Sequence, residues 1–180
     1  MKGNGNGLGT MLRKLIFYCL PTCGMRSKYI KRHKSLFHHI GENVMWQPRQ
    51  FPADPEFISI GNNVKIAANV SFTNHDILYG MLNCKYQTNE FNKLQGCIRI
   101  GDNVMIGANT MILPNVQIGN NVVVGGGSIV TKDIPNNCVA AGVPCKVIGS
   151  FDALEKKYRN TIYYDNPDNY WEEFEKKHEL

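Results

Sequence analysis

The sequence predicts an all-β core wound as a three-sided parallel β-helix, with short helices at either end. Three observations carry this. Ile100, Ile106, Ile112, Ile118, Val124 and Val130 stand six apart without a break. Each is preceded, two positions earlier, by a member of a second set: Ile98, Val104, Thr110, Val116, Val122 and Ser128. The stretches between these pairs are rich in Gly, Asn and Asp, as in Gly101-Asp102-Asn103 and Gly119-Asn120-Asn121. Residues two apart on a strand share a face. Each hexad is therefore a short strand with two inward side chains, followed by a corner. Gly, Asn and Asp tolerate the left-handed backbone that a sharp corner needs. A helix would repeat near 3.6 residues, and a hairpin meander would use longer, irregular units. A strict six winds strands round a prism, three faces to a coil, with coils stacked about 4.8 Å apart.

The first forty residues form a separate basic segment. Residues 1–41 hold eight Lys or Arg and no acid, residues 42–150 hold seven of each sign, and residues 151–180 hold five basic and eight acidic residues. Residues 1–9 are rich in Gly and Asn and read as disordered. Leu12, Leu15, Ile16, Cys19 and Leu20 then fall at helical spacing and make one apolar stripe beside basic residues. Such a helix packs on its own domain or on a neighbouring subunit, or lies on a membrane surface. The apolar run Leu15–Leu20 is far short of the roughly 20 residues of a membrane span. Arg13 and Lys14 before it resemble the charged start of a signal peptide, but Pro21-Thr22-Cys23-Gly24 reads as a turn and no small-residue cleavage site follows. The expectation is neither a spanning protein nor a secreted one.

The prism occupies residues 41–150. An earlier block shares the phase: Ile58/Ile60, Val64/Ile66 and Val70/Phe72, with the corner Gly61-Asn62-Asn63. Val44/Trp46 forms a degenerate first unit. From Phe72 to Ile100 is 28 residues, not a multiple of six, so a loop leaves the prism within residues 73–97 and returns. Long loops in compact domains are usually functional. This one begins with Asn74-His75-Asp76, ends with Gly96-Cys97, and carries Tyr79, Tyr86 and Phe91 between. His75 is the one histidine of the repeat region. A lone histidine is more often structural, but this one stands where a strand face gives way to a protruding loop. Asp133-Ile134-Pro135 reads as a turn ending the regular prism. Beyond it, residues 151–180 form a helical extension, with helices over Asp152–Arg159 and Asp168–Lys177 broken at Asp165-Asn166-Pro167. Its aromatics Tyr158, Tyr163, Tyr164, Tyr170, Trp171 and Phe174 are expected to pack against the prism end.

Several classes are set aside by composition. The six cysteines form no CxxC pair and no zinc pattern with the five histidines. A chain of this size needs no disulfide staples, and reduced thiols in the cytoplasm are the expectation. Nucleic-acid binding would need basic residues interleaved with aromatics on a reading surface, which the neutral prism lacks.

The hexads, with Ser71-Phe72-Thr73-Asn74-His75-Asp76, the run from Val124 through Pro135 and the run Ala140–Ile148, resemble the hexapeptide-repeat acyltransferases. The likeness covers about residues 40–150 and is most specific to sugar O-acetyltransferases acting on galactosides and maltose. That resemblance implies a left-handed β-helix, against the usual right-handed preference of parallel crossovers. It implies acetyl-CoA as the acyl donor, with no metal taking part. It also implies a set of contacts to that donor: Ala108 and Gly126 meet the pantetheine, Thr131 and Lys132 the nucleotide end, and Lys146 the phosphates. Lys146 stands where relatives often carry Arg, and supplies charge without the bidentate fork. Gly149 stands where a basic residue is expected. Gly125–Gly127 also fit a purely structural role in corner and stacking. By the same resemblance, His75 is the general base of a direct transfer. Asp76, Glu90 or a backbone carbonyl orients it. The family likeness further implies a homotrimer with sites between subunits. The implied acceptor is a sugar hydroxyl, of a surface polysaccharide or its precursor, in a cytoplasmic enzyme with a peripheral membrane contact through its basic segment. A xenobiotic acetyltransferase of the streptogramin-inactivating type and a non-catalytic β-helix scaffold stand as alternatives.

Overall fold

The computed structural model describes residues 7–178. The expectation of disorder for residues 1–6 lies outside them. Helix α1 (Gly7–Tyr18) and helix α2 (Cys23–Arg32) precede strands β1 (His39–Ile40), β2 (Met45–Trp46), β3 (Ile58–Ile60), β4 (Val64–Ile66) and β5 (Ser71–Phe72). Helix α3 (Leu78–Tyr86) lies within the inserted loop. Strands β6 (Ile98–Ile100), β7 (Val104–Ile106), β8 (Met111–Ile112), β9 (Val116–Ile118), β10 (Val122–Val124), β11 (Ile129–Val130), β12 (Cys138–Ala141) and β13 (Lys146–Ser150) come next, then helices α4 (Phe151–Arg159) and α5 (Pro167–His178).

The strands sort into three faces, each taking every third strand. The first face is β1-β3-β6-β9, the second β2-β4-β7-β10-β12, and the third β5-β8-β11. All these neighbours pair in parallel, with β13 alone antiparallel, on β12. Consecutive strands thus occupy different faces, and each strand bonds to the one a full coil away. The inward pairs from Ile58 to Val130 are buried, Phe72 only partly. Thr110 and Ser128, the polar members, satisfy their hydroxyls on the Gly125 carbonyl.

The corner between the first and second faces is the most regular. Asn43, Asn63, Asn103, Asn121 and Asn137 there all have positive φ, from 53° to 59°. Their side chains form one ladder, each amide donating to the carbonyl of the next at 2.8–3.0 Å. Asparagine tolerates this backbone, and the ladder bonds one coil to the next outside the strands.

Five expectations need correction. Residues 7–9 belong to α1, because a helix pinned further along extends cheaply, one bond per residue. The face that pins it is not the predicted stripe. Phe17 is fully buried, its ring centroid 5.4 Å from Tyr29 and 5.2 Å from Phe51, while Leu12, Leu15 and Ile16 are exposed. Phe17, Tyr29, Phe37, Trp46 and Phe51 form an aromatic plug over the open first coil, and that end needs more volume than aliphatics supply. The inserted loop contains a helix, α3. The prism continues past Asp133: Ile134 bridges Ile118 in parallel and starts one more coil. Finally, Tyr158, Tyr163, Tyr170, Trp171 and Phe174 remain exposed, because β13 and α4 already occupy the edge of β12.

Ile106, fully buried on β7, and Met105, 42% exposed beside it, separate inward from outward positions. Ile106→Ala is expected to cost about 2–5 kcal/mol in chemical denaturation, and Met105→Ala less than about 0.5 kcal/mol.

Candidate functional site

The corner between the third and first faces is irregular, and the site is built there. After β5, the Thr73 amide still bonds to the Ile112 carbonyl as a strand residue would. The chain then turns outward as a narrow neck. Asn74 is buried, its carbonyl accepts from the Gly96 amide at 2.7 Å, and its side-chain amide donates to the Gly96 carbonyl. His75 and Gln95 face each other as an antiparallel bridge. Gly96 is needed for closeness: a Cβ there would stand 2.6 Å from Pro114 Cβ and 2.8 Å from the Asn115 amide. The histidine is thus fixed on paired backbone, not on the free part of the loop.

The His75 side chain is 28% exposed, and its Nδ1 lies 2.5 Å from Oδ2 of Asp54. Asp54 comes from the segment between β2 and β3, one coil earlier at the same corner. Gln95 Nε2 donates to the same oxygen at 3.4 Å, and Lys93 Nζ stands 3.7 Å away. Burial opposes ionisation of Asp54, but the hydrogen bonds from Gln95 and His75 and the Lys93 charge together hold its pKa below the ordinary carboxylate value. An ionised carboxylate only accepts, so in the neutral imidazole Nδ1 carries the proton and Nε2 presents the lone pair. This arrangement fits a general base.

Asp76 is not the partner of the imidazole. Its Oδ1 accepts from the Leu78 amide at 3.3 Å, at the start of α3, because the chain remains extended through the neck and neighbouring side chains diverge. Glu90 lies on the exposed end of the loop and lines a hollow with Leu82, Tyr86 and Phe91. Sequence reading missed Asp54, Lys93 and Gln95. Coil arithmetic held the signal for Asp54: one coil is eighteen residues, so the residues about that far before His75 return to its corner.

A groove runs beside β5, and its lining ends at Ala53, next to Asp54, and at Thr73, two residues before His75. One part, about 150 Å³, is lined by Gln50, Phe51, Pro52 and Ala53 against Val70, Ser71, Phe72 and Thr73. It adjoins a wider part, about 520 Å³, lined by Tyr18, Pro48, Arg49, Gln50, Asn69 and Val70.

The residues expected to hold acetyl-CoA separate into two groups. Ala108 and Gly126 stack on adjacent coils at the corner between the second and third faces, where the Gly127 amide donates to the Ala108 carbonyl at 2.8 Å. A Cβ on Gly126 would stand 3.0 Å from that carbonyl oxygen, so stacking alone already favours glycine. Gly127 has φ +71° with open space around it. Among the described residues, the Ala108 and Gly126 amides donate to no other group of the chain. Two free amides about 4.8 Å apart on a bare edge suit an extended, amide-bearing arm. Lys146 pairs with Ala141 at the same corner. Thr131 and Lys132 are exposed at the other edge of the third face, two coils below Thr73, or about 10 Å along the axis. A single chain does not bring both groups together on one edge.

The bacterial transferase hexapeptide (six repeats) family matches residues 97–132. The galactoside O-acetyltransferase of Escherichia coli (strain K12) is 43% identical over 122 residues, which is 67% of this chain and 57% of that protein. Protein CapG of Staphylococcus aureus is 44% identical over 121 residues, 67% of this chain and 68% of that one. The chain thus spans little more than half of the first relative's length. Among solved structures, a galactoside acetyltransferase in complex with coenzyme A aligns with a TM-score of 0.60 at 30% identity, covering 88% of this chain and 85% of that one. A maltose O-acetyltransferase from Clostridium difficile 630 aligns at 0.58 and 28% identity, covering 79% and 84%.

A carboxylate whose pKa is lowered by folding stabilises the fold above its unfolded pKa, and loses that effect as pH falls through the folded value. Asp54→Asn is therefore expected to lower the urea midpoint at neutral pH, with the gap to wild type closing below the carboxylate range. A gap independent of pH would contradict the assigned ionisation.

Proposed function

The chain belongs to the hexapeptide-repeat transferases, and from that premise we propose that it is an acetyl-CoA-dependent O-acetyltransferase acting on a sugar hydroxyl. The observation that carries this is the His75–Asp54 pair, held at 2.5 Å on the neck of the inserted loop. The sugar acceptor is supported by the galactoside and maltose O-acetyltransferases that the chain resembles. The donor is supported by the coenzyme A complex of one relative, and by the free amides of Ala108 and Gly126 in this chain. The left-handed sense of the winding is supported by the same relatives.

Acetyl-CoA supplies the acetyl group as a thioester. His75 Nε2 takes the proton of the acceptor hydroxyl as that oxygen attacks the carbonyl. Asp54 keeps Nδ1 protonated and stabilises the imidazolium that forms, and the proton passes back to the departing thiolate. Asp54 is a positioning residue, and Gln95 and Lys93 keep it ionised. The groove from Gln50 to Thr73 receives the acceptor. Its wider part opens towards the basic N-terminal segment, which suits a surface polysaccharide or its precursor.

A homotrimer completes the site. The split of the donor-binding residues over two edges supports this, since a three-fold arrangement apposes one chain's His75 corner to its neighbour's Ala108–Gly126 corner. A cytoplasmic setting belongs to the same reading.

Thiol release from acetyl-CoA with galactosides, maltose and nucleotide sugars as acceptors tests the reading. His75→Ala is expected to lower turnover about 10²–10⁴-fold with little change in the donor KM. Asp54→Asn should lower it about 10²–10⁴-fold and alter the pH profile of kcat, which a merely structural role would not do. Wild-type turnover in His75→Ala, or coenzyme A binding without transfer to any acceptor, would overturn it. Gly126→Val should raise the donor KM about tenfold or more while leaving acceptor KM unchanged, because its side chain would fill the bare edge.

A further inference from the structure

Helix α1 turns its apolar face away from the protein. Phe17 anchors it and is fully buried. Met11 is 70% exposed, Leu12 55%, Leu15 58%, Ile16 45% and Tyr18 63%. At about 100° per residue, these five fall within one arc of roughly 160°, and Phe17 lies opposite its centre. On the remaining surface, Arg13 falls about 60° beyond one border of the arc and Lys14 about 40° before the other, with Phe17 between them. Among the described residues, nothing covers this face.

We propose that α1 is a membrane-contact helix that lays Met11, Leu12, Leu15 and Ile16 into the surface of an anionic bilayer. Three features select that occupant. A cation stands on each flank of the helix, between the arc and Phe17, as on a helix lying in the plane of an interface. Residues 1–41 carry eight basic and no acidic side chains, so the whole segment is attracted to anionic lipid. Tyr18 closes the edge of the arc with a ring that is apolar in body and polar at its tip, which suits the headgroup level. A second copy of the chain offers less. The same face of another α1 would bring like charges together. The acidic C-terminal segment docks through α4 on β12 and β13, at the opposite end of the prism, about 20 Å away along the axis. Tyr18 also lines the wide part of the groove that leads to Thr73. A helix seated on a bilayer would therefore hold the mouth of the groove next to the lipid surface.

The test is co-sedimentation of the full chain with vesicles of phosphatidylcholine containing about one quarter phosphatidylglycerol, against phosphatidylcholine alone. Wild type is expected to sediment with the anionic vesicles and weakly with the neutral ones, and partly to dissociate as salt is raised. Arg13→Gln with Lys14→Gln should weaken anionic binding about fivefold per residue removed and leave neutral binding unchanged. Met11→Ser with Leu15→Ser should reduce binding to both vesicle types several-fold, with unchanged thermal unfolding, since both side chains are exposed. Light scattering in solution should give the same mass for wild type and both variants. Failure of wild type to sediment would overturn the proposal, as would binding indifferent to the substitutions. So would a fall in oligomer mass on Met11→Ser with Leu15→Ser, which would assign this face to a second copy of the chain. None of these readouts depends on acetyl transfer.

Discussion

The fold rests on one interaction repeated from coil to coil: parallel backbone pairing that requires each strand to lie directly over the strand one coil earlier. Where the pairing is regular the step is eighteen residues, as from β6 to β9 and from β7 to β10. The inward aliphatics then superimpose as a column, and each corner residue sits over its counterpart. The asparagine ladder is the visible result at one corner, where five residues with positive φ repeat the same geometry and bond to one another. A side chain at a stacking glycine collides with the next coil, and at some of these positions the obstacle is backbone alone. At Gly107, for example, a Cβ would meet the Gly126 amide at 2.3 Å.

Departures from eighteen mark where this protein does something other than stack. The step is 20 between β1 and β3, 40 between β3 and β6, and 16 between β10 and β12. All three irregularities fall on the third face or on the corner where it passes to the first. The two extra residues bow out the segment that carries Asp54. The twenty-two extra residues form the loop that carries His75, Lys93 and Gln95. The two missing residues shorten the corner that carries Thr131 and Lys132. The corner with the unbroken ladder tolerates none of this, because an insertion there would separate side chains that bond at 2.8–3.0 Å. Rigid stacking on one edge leaves the opposite edge free to vary.

The histidine depends on both kinds of structure. Its backbone is held by the neck, through Asn74 and Gly96 on one side and the bridge to Gln95 on the other. Its imidazole is held by a carboxylate from the preceding coil. Asp54 faces a desolvation cost, and Gln95, His75 and Lys93 together more than offset it. Two of those three come from the returning arm of the same loop, so the insertion supplies both the histidine and the groups that keep its carboxylate partner ionised. The residues proposed to hold the donor obey a different logic. They need bare backbone, and the corner after β10 supplies it by placing Gly127 where the corners after β4 and β7 carry Asn69 and Asn109.

The sequence by itself determined the strands, the inward column, the corners and the position of the loop, because a six-residue period writes geometry directly into residue spacing. It also singled out His75, whose place at the broken phase is visible without coordinates. Only the tertiary structure decided what touches His75. Asp54 is 21 residues away along the chain, and the nearer Asp76 is turned aside by strand alternation. Only the tertiary structure decided which side of α1 faces inward, too, since its apolar stripe and Phe17 are both hydrophobic and the choice depends on the aromatic plug. The period governs residues that repeat. Residues that occur once, in the insertions and at the ends, are placed by contacts between distant segments, and a pattern along the chain does not contain those contacts.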